Sequence, residues 1–175
     1  MAEKRDSPRH PPIDYPDLHL LNAVRGWLEL KCPSEARAEL EQISRTPRTH
    51  PELLHVHWQL EISLKNWELA LEIAEVIVDV EPDSPSGWID RSYALHELKR
   101  TQEAHRQLLP AFEAFPDEPI IPYNLACYAC QEGDLVTAKN WFEAALRRGD
   151  KTALIKMALG DGDLRPLWAQ IQKMN

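Results

Sequence analysis

The chain has 175 residues, 43% of them apolar, which suits one compact domain or one short repeat array with a packed core. Its net charge of −8 opposes the phosphate backbone, and no Lys/Arg cluster interrupts that balance, so nucleic acid is not an expected partner. Few glycines (6) beside 14 prolines and 6 tryptophans argue against a turn-rich β protein and for large buried anchors.

Residues 1–16, "MAEKRDSPRHPPIDYP", carry charge and proline but no apolar stretch, so they read as a flexible proline-rich arm and not a secretory signal. No apolar run reaches the length of about 18 that a membrane helix needs, and no membrane partner is expected. Three cysteines, an odd number, fit reduced thiols and a cytoplasmic location better than a disulfide framework.

From residue 17 the chain repeats. Ala36, Ala70, Ala104 and Ala138 lie 34 residues apart. Pro51, Pro85 and Pro119 keep the same spacing, as do Pro82 and Pro116. The first proline set is placed to open helices, where the missing N–H is not needed. The second is placed to close the preceding unit. Each alanine then falls early in a second helix, where a small side chain lets two helices approach. Short polar turns, "LKCPSEA", "LKNWELA", "LKRTQEA" and "QEGDLVTA", separate the two helices of each unit. The predicted units are 17–50, 51–84, 85–118 and 119–152, and Pro110 is expected to kink or shorten its helix. "KTALIKMAL" (151–159) predicts a further helix. Beyond Gly160 and Gly162, Asp163 is placed to cap a final helix, with Leu164, Leu167, Trp168 and Ile171 at helical spacing to cover the last unit. Residues 153–175 thus read as C-terminal capping helices.

This pattern resembles the tetratricopeptide repeat family, whose period is 34 residues. The consensus W-x2-L-G-x2-Y, A-x3-F, P is matched most fully in "YNLACYACQEGDLVTAKNWFEAAL", through Leu125, Ala138, Phe142 and Ala145. Trp88, Ala104, Leu108 and Pro116 match in the third unit, with Ser92 in the glycine place and Leu95 in the tyrosine place. The second unit keeps Ala70 and Pro82 but has Trp58 in the small-residue place and Glu61 in the tyrosine place. The first has Ala36 and Leu40, with Val24 and Trp27 in the glycine and tyrosine places. The ending D-x-D-L-x-P-L-W is similar to tails of bacterial repeat proteins of this type.

The resemblance implies an all-α, right-handed solenoid of antiparallel helix pairs, without catalysis or cofactor. It implies that the first helix of each pair lines a concave face used to bind protein or peptide. Carried onto this sequence, the inward positions are Leu21, Asn22, Arg25 and Glu29; His55, Gln59 and Ser63; Ile89, Asp90, Tyr93, His96 and Glu97; and Tyr123, Asn124, Cys127, Cys130 and Gln131. Of these, Asn22, Arg25, His55, Gln59, Asp90, Tyr93, His96, Glu97, Tyr123, Asn124, Cys127 and Gln131 are the candidate binding residues. The family's carboxylate clamp for chaperone C-termini needs lysines and an arginine. The matching places hold Leu21, Arg25, Val56, Ser86 and Asp90, so a C-terminal carboxylate would meet repulsion.

Cys127 and Cys130 form a C-x-x-C, but well inside a predicted helix rather than at its N-terminus, where a redox pair gains its low pKa. Packing and groove lining account for them best, with no bound metal expected. "DGD" lacks the further ligands of a calcium loop. No metalloprotease, serine-hydrolase or phosphate-loop motif occurs, so no enzyme is expected. Trp67 and Trp141 could mediate self-association or, as preferred, pack between units. The expected function is a scaffold or assembly factor binding a peptide or partner helix. The alternatives are a small client-shielding chaperone and, in another class, a metal or thiol sensor built on Cys127, Cys130 and His96. Partner identity and oligomeric state stay open at this point.

Overall fold

A computed structural model describes residues 10–174, and residues 1–9 of the expected arm lie outside that range. Among the described residues the regular structure is helical. The order is α1 (Asp17–Glu29), α2 (Pro33–Gln42), α3 (Pro51–Ser63), α4 (Trp67–Val80), α5 (Pro85–Glu97), α6 (Thr101–Ala114), α7 (Ile120–Gln131), α8 (Leu135–Arg148), α9 (Lys151–Gly160) and α10 (Trp168–Ile171). Short 3-10 segments, Gly162–Leu167 and Gln172–Met174, flank α10.

The proline and alanine registers have the effects their chemistry implies. Pro51 and Pro85 open α3 and α5, while Pro119 caps α7. Ala36, Ala70, Ala104 and Ala138 are all fully buried, each beneath the partner helix of its pair. Gly87 extends the theme between pairs. A Cβ there would lie 2.8 Å from the Val78 nitrogen, so α5 rests directly on the backbone of α4.

A further register emerges in the turns. Lys31, Lys65, Lys99 and Gly133 have φ of 60°, 56°, 64° and 86° and stand one repeat apart. Each lies just past the end of the first helix of a pair. The next residue's N–H closes on a carbonyl five residues back: Cys32 on Trp27, Asn66 on Glu61, Arg100 on Leu95 and Asp134 on Ala129. This is the Schellman ending, which favours glycine, yet lysine fills it three times. Left-handed backbone costs a non-glycine residue about 1 kcal/mol or more. Lys31→Gly, Lys65→Gly and Lys99→Gly are therefore each expected to stabilise the fold by about 0.5–1 kcal/mol after the unfolded-state entropy of glycine is counted. Urea unfolding checks this, and the triple variant should show a near-additive rise.

Pro110 does not end its helix early. α6 runs through it to Ala114, because Pro110 sits on the exposed side, where water is available to the Arg106 carbonyl that the ring deprives of its partner. Within the expected arm, Ile13 is buried with the α1–α3 core and the His50 imidazole bonds the Pro11 carbonyl at 2.9 Å, so the described part of the arm touches the solenoid at these residues. Asp17, fully buried, accepts N–H groups from Arg45 (2.8 Å) and Thr46, tying the loop after α2 to the start of α1. Burial works against that charge, but the backbone N–H groups prevail and hold the carboxyl below its ordinary value.

The core divides. One cluster joins Leu21, Val24, Leu40, Leu53, Val56 and Leu60 across α1–α3. A larger one runs from Ala70 and Leu71 to Ile171. Between them Leu54, Ile73 and Ile77 form a small cluster, and Trp58 packs against both this and the larger one. Helices α1 and α3 approach closely, as do α5 and α7, whereas α3 and α5 do not. Trp58 explains the gap: an indole stands where the repeat pattern calls for a small residue. Glu61 is the second deviation. Fully buried, its carboxylate takes two bonds from Arg37 (3.1 and 3.2 Å) and one from Asn66 (2.9 Å), with His57 at 3.2 Å.

Candidate interaction surface

Close approaches between neighbouring pairs identify the inner side. Odd-numbered helices reach one another (α1 with α3, α5 with α7), while α2, α4, α6 and α8 do not. Curvature that brings odd helices together makes theirs the concave side. Along that side α1 packs with α3 and α5 with α7, and the two stretches part between α3 and α5.

On its N-terminal part, Arg25 is held by Asn22 (3.2 Å) and Glu52 (3.0 Å), which orients its guanidinium across α1 and α3. His55 bonds Glu81 at 2.7 Å, linking α3 to the end of α4. Gln59 and Ser63 are exposed, and with Arg25, Leu28, Glu29 and Ile62 they line a depression of about 730 Å³. Tyr93 is 36% exposed, with its ring edge-on to Trp67 at 5.6 Å between centroids. Trp67 thus packs between units, and so does Trp141, edge-on to Phe112 at 4.8 Å.

Asp90 is half-buried, and burial pushes its carboxyl up from the ordinary 3.8 to about 7. The folded state therefore binds more protons than the unfolded state between those values, and stability falls as pH rises from about 4 to about 7. Asp90→Asn removes that slope. At pH 8 it is expected to stabilise the protein by on the order of 2–4 kcal/mol, with little effect at pH 4, measured by thermal melts across pH.

The C-terminal part of the same face is occupied by the chain itself. Tyr123 donates its hydroxyl to Asp161 at 2.8 Å, and the Cys127 thiol points at the same oxygen, 3.6 Å away. His96 bonds Thr101 and Asp163, each at 3.0 Å, and Gln131 donates to the Asp163 carbonyl at 3.2 Å. Four of the twelve candidate residues thus bond the 161–163 segment, His96, Tyr123 and Cys127 from buried positions and Gln131 from an exposed one. Asn124 is half-buried beside them, and Glu97 is half-buried one turn beyond Tyr93.

The segment's anchoring is apolar. Leu164, Leu167 and Ile171 are buried, and Trp168 donates its indole N–H to the Ala158 carbonyl at 2.9 Å. The expected single final helix is replaced by 3-10 turns around the four-residue α10, with Pro166 inside the first of them. Asp161, not Asp163, supplies the cap, accepting the Asp163 N–H at 3.0 Å. The sequence signal for this docking was the short D-G-D turn, whose carboxylates could be read as a cap but not as ligands of the inner face.

Burial pushes the Cys127 thiol well up, reinforced by Asp161 and Asp163, and the Cys130 thiol is raised for the same reason. Raised thiols are poor nucleophiles and poor metal ligands at neutral pH. Among the described residues no group of three or more His, Cys, Asp or Glu side chains is arranged to hold a metal ion. No described helix is long and apolar enough to cross a membrane.

No protein-family model matches the chain, and no curated protein matches its sequence. Solved structures do match. A crystal structure of MamA superposes with a TM-score of 0.68 at 12% identity, covering 79% of this chain and 81% of that one. TTC0263, a thermophilic tetratricopeptide-repeat protein of Thermus thermophilus, gives 0.68 at 18% identity, covering 90% of both chains. At such identities the likeness speaks for architecture. The chain therefore has the tetratricopeptide-repeat fold, an all-α solenoid of stacked antiparallel helix pairs.

Proposed function

We propose that this protein is a non-catalytic scaffold or assembly factor that takes a peptide or helix of a partner protein on the open part of its concave face. The observation that carries the reading is the contrast along that face. From α1 to α5 it carries exposed Asn22, Gln59 and Tyr93 and half-buried Asp90 and Glu97, with a depression of about 730 Å³ bordered by α1 and α3, while from α7 onward its own tail fills it. Amides can bond a main chain, and aromatic edges can anchor side chains. His96, Tyr123, Cys127 and Gln131 position the tail, and the partner meets Asn22, Arg25, His55, Gln59, Asp90, Tyr93, Glu97 and Asn124.

The test is affinity capture with wild-type bait against an Asp90→Ala, Tyr93→Ala, Asn124→Ala variant shown by circular dichroism to stay folded. A partner retained only by wild type supports the concave face. Equal retention by both baits moves the site to the convex side or the tail.

A further inference from the structure

We infer that the open inner face receives a basic peptide segment of a partner protein, with Lys or Arg side chains set against Asp90 and Glu97 and along the Tyr93 ring. This rests on the scaffold reading and adds the chemistry of the partner.

The charges along the face are unequal in what they leave over. Its cationic and imidazole groups already have carboxylates: Arg25 with Glu52 at 3.0 Å, His55 with Glu81 at 2.7 Å and His96 with Asp163 at 3.0 Å. Asp90 and Glu97 stand three residues before and four after Tyr93, so all three share one stripe of α5. Among the described residues neither carboxylate has a Lys, Arg or His within ion-pair distance, and the Glu97 charge helps, after burial, to push the Tyr93 hydroxyl up. Asp161 and Asp163 add their negative charge around Tyr93. Lys31, exposed in the turn after α1, also lines the depression, so the excess of negative charge lies on α5 and not there.

An acidic segment would therefore meet repulsion along this stripe of α5. A lysine or arginine instead meets two carboxylates and an aromatic face, the arrangement that favours desolvated cations. Burial leaves the Asp90 carboxyl near half-protonation at neutral pH, and an arriving cation favours its ionised form. The depression lined by Leu28 and Ile62 lies N-terminal to this stripe and offers a place for the segment's apolar residues.

The probe is a short fluorescein-labelled peptide alternating Lys with Leu, compared with its Glu-for-Lys counterpart by fluorescence polarisation. Saturable binding of the lysine peptide alone is expected, weakened about tenfold or more in Asp90→Asn with Glu97→Gln. Amide hydrogen exchange on the same complexes locates the peptide, with protection expected on α3 and α5. If the lysine peptide binds the double variant as well as wild type, or not at all, the basic-segment proposal is overturned. If the acidic peptide is the one that protects α3 and α5, the partner chemistry fails while the scaffold reading stands. Protection confined to α4 and α6 overturns both.

Discussion

Glu61→Ala is expected to cost about 1–3 kcal/mol, because it leaves Arg37, Asn66 and His57 without their shared acceptor around an emptied, fully buried position. The carboxylate joins α2, α3 and the turn into α4, where the repeat pattern would place a tyrosine. Much of the loss comes from groups left unpaired rather than from the net worth of the pairs. Glu61→Leu combined with Arg37→Leu should therefore recover a large share of it, since both polar partners leave together. Burial holds the His57 imidazole below its ordinary 6.5 even though Glu61 pulls the other way. The folded state resists protonating His57, so its contribution is present above that value and lost as pH falls through it. Denaturant melts of the single and double variants at pH 7 check the energetics. Equal destabilisation by both would mean that the network's charge, not its satisfaction, holds the position.

Leu167→Ala is expected to loosen the tail before the solenoid unfolds. Leu167 is 1% exposed, and truncating such a residue costs about 2–5 kcal/mol. That loss falls on a terminal segment held by few other apolar side chains, so local opening absorbs it. The consequence is chemical. Cys127 and Cys130, each 5% exposed, lose the cover of the 161–163 segment. Their modification by a thiol reagent should accelerate by roughly tenfold or more, while half-exposed Cys32 reacts as before. Mass spectrometry of the labelled thiols reads each site. Unchanged labelling of Cys127 would show that helix packing alone, without the tail, protects it.

Most of the fold was legible because a 34-residue spacing recurs in residues with strong backbone or steric consequences. Proline opens helices, buried alanine sets how closely they pack, and both act locally enough to be read without coordinates. The left-handed turns at Lys31, Lys65 and Lys99 were hidden because lysine carries no signal for that conformation; only Gly133 does. Glu61 and Asp17 were hidden for another reason. A buried carboxylate depends on donors far along the chain, Arg37 for one and the Arg45 and Thr46 amides for the other.

Part of the expected inner face is occupied in a way the sequence did not show. Spacing places His96, Tyr123, Cys127 and Gln131 on one surface with Asp90 and Tyr93. It says nothing about a turn more than thirty residues beyond Tyr123 folding back over them. The shift from tryptophan to alanine at the small-residue place, Trp58 against Ala126, was visible in the sequence. Its effect, a parting of α3 from α5, needed the packing to be seen.

The most direct test of the interaction surface is site-specific photo-crosslinking in cells. A photoreactive residue at Gln59 or Glu97, on the open inner face, is compared with one at Gln102 on α6 and one at Lys139 on α8. The account predicts a discrete crosslinked partner from Gln59 and Glu97 and none from the two outer positions. The same partner captured from Gln102 or Lys139, with none from the inner positions, would contradict it.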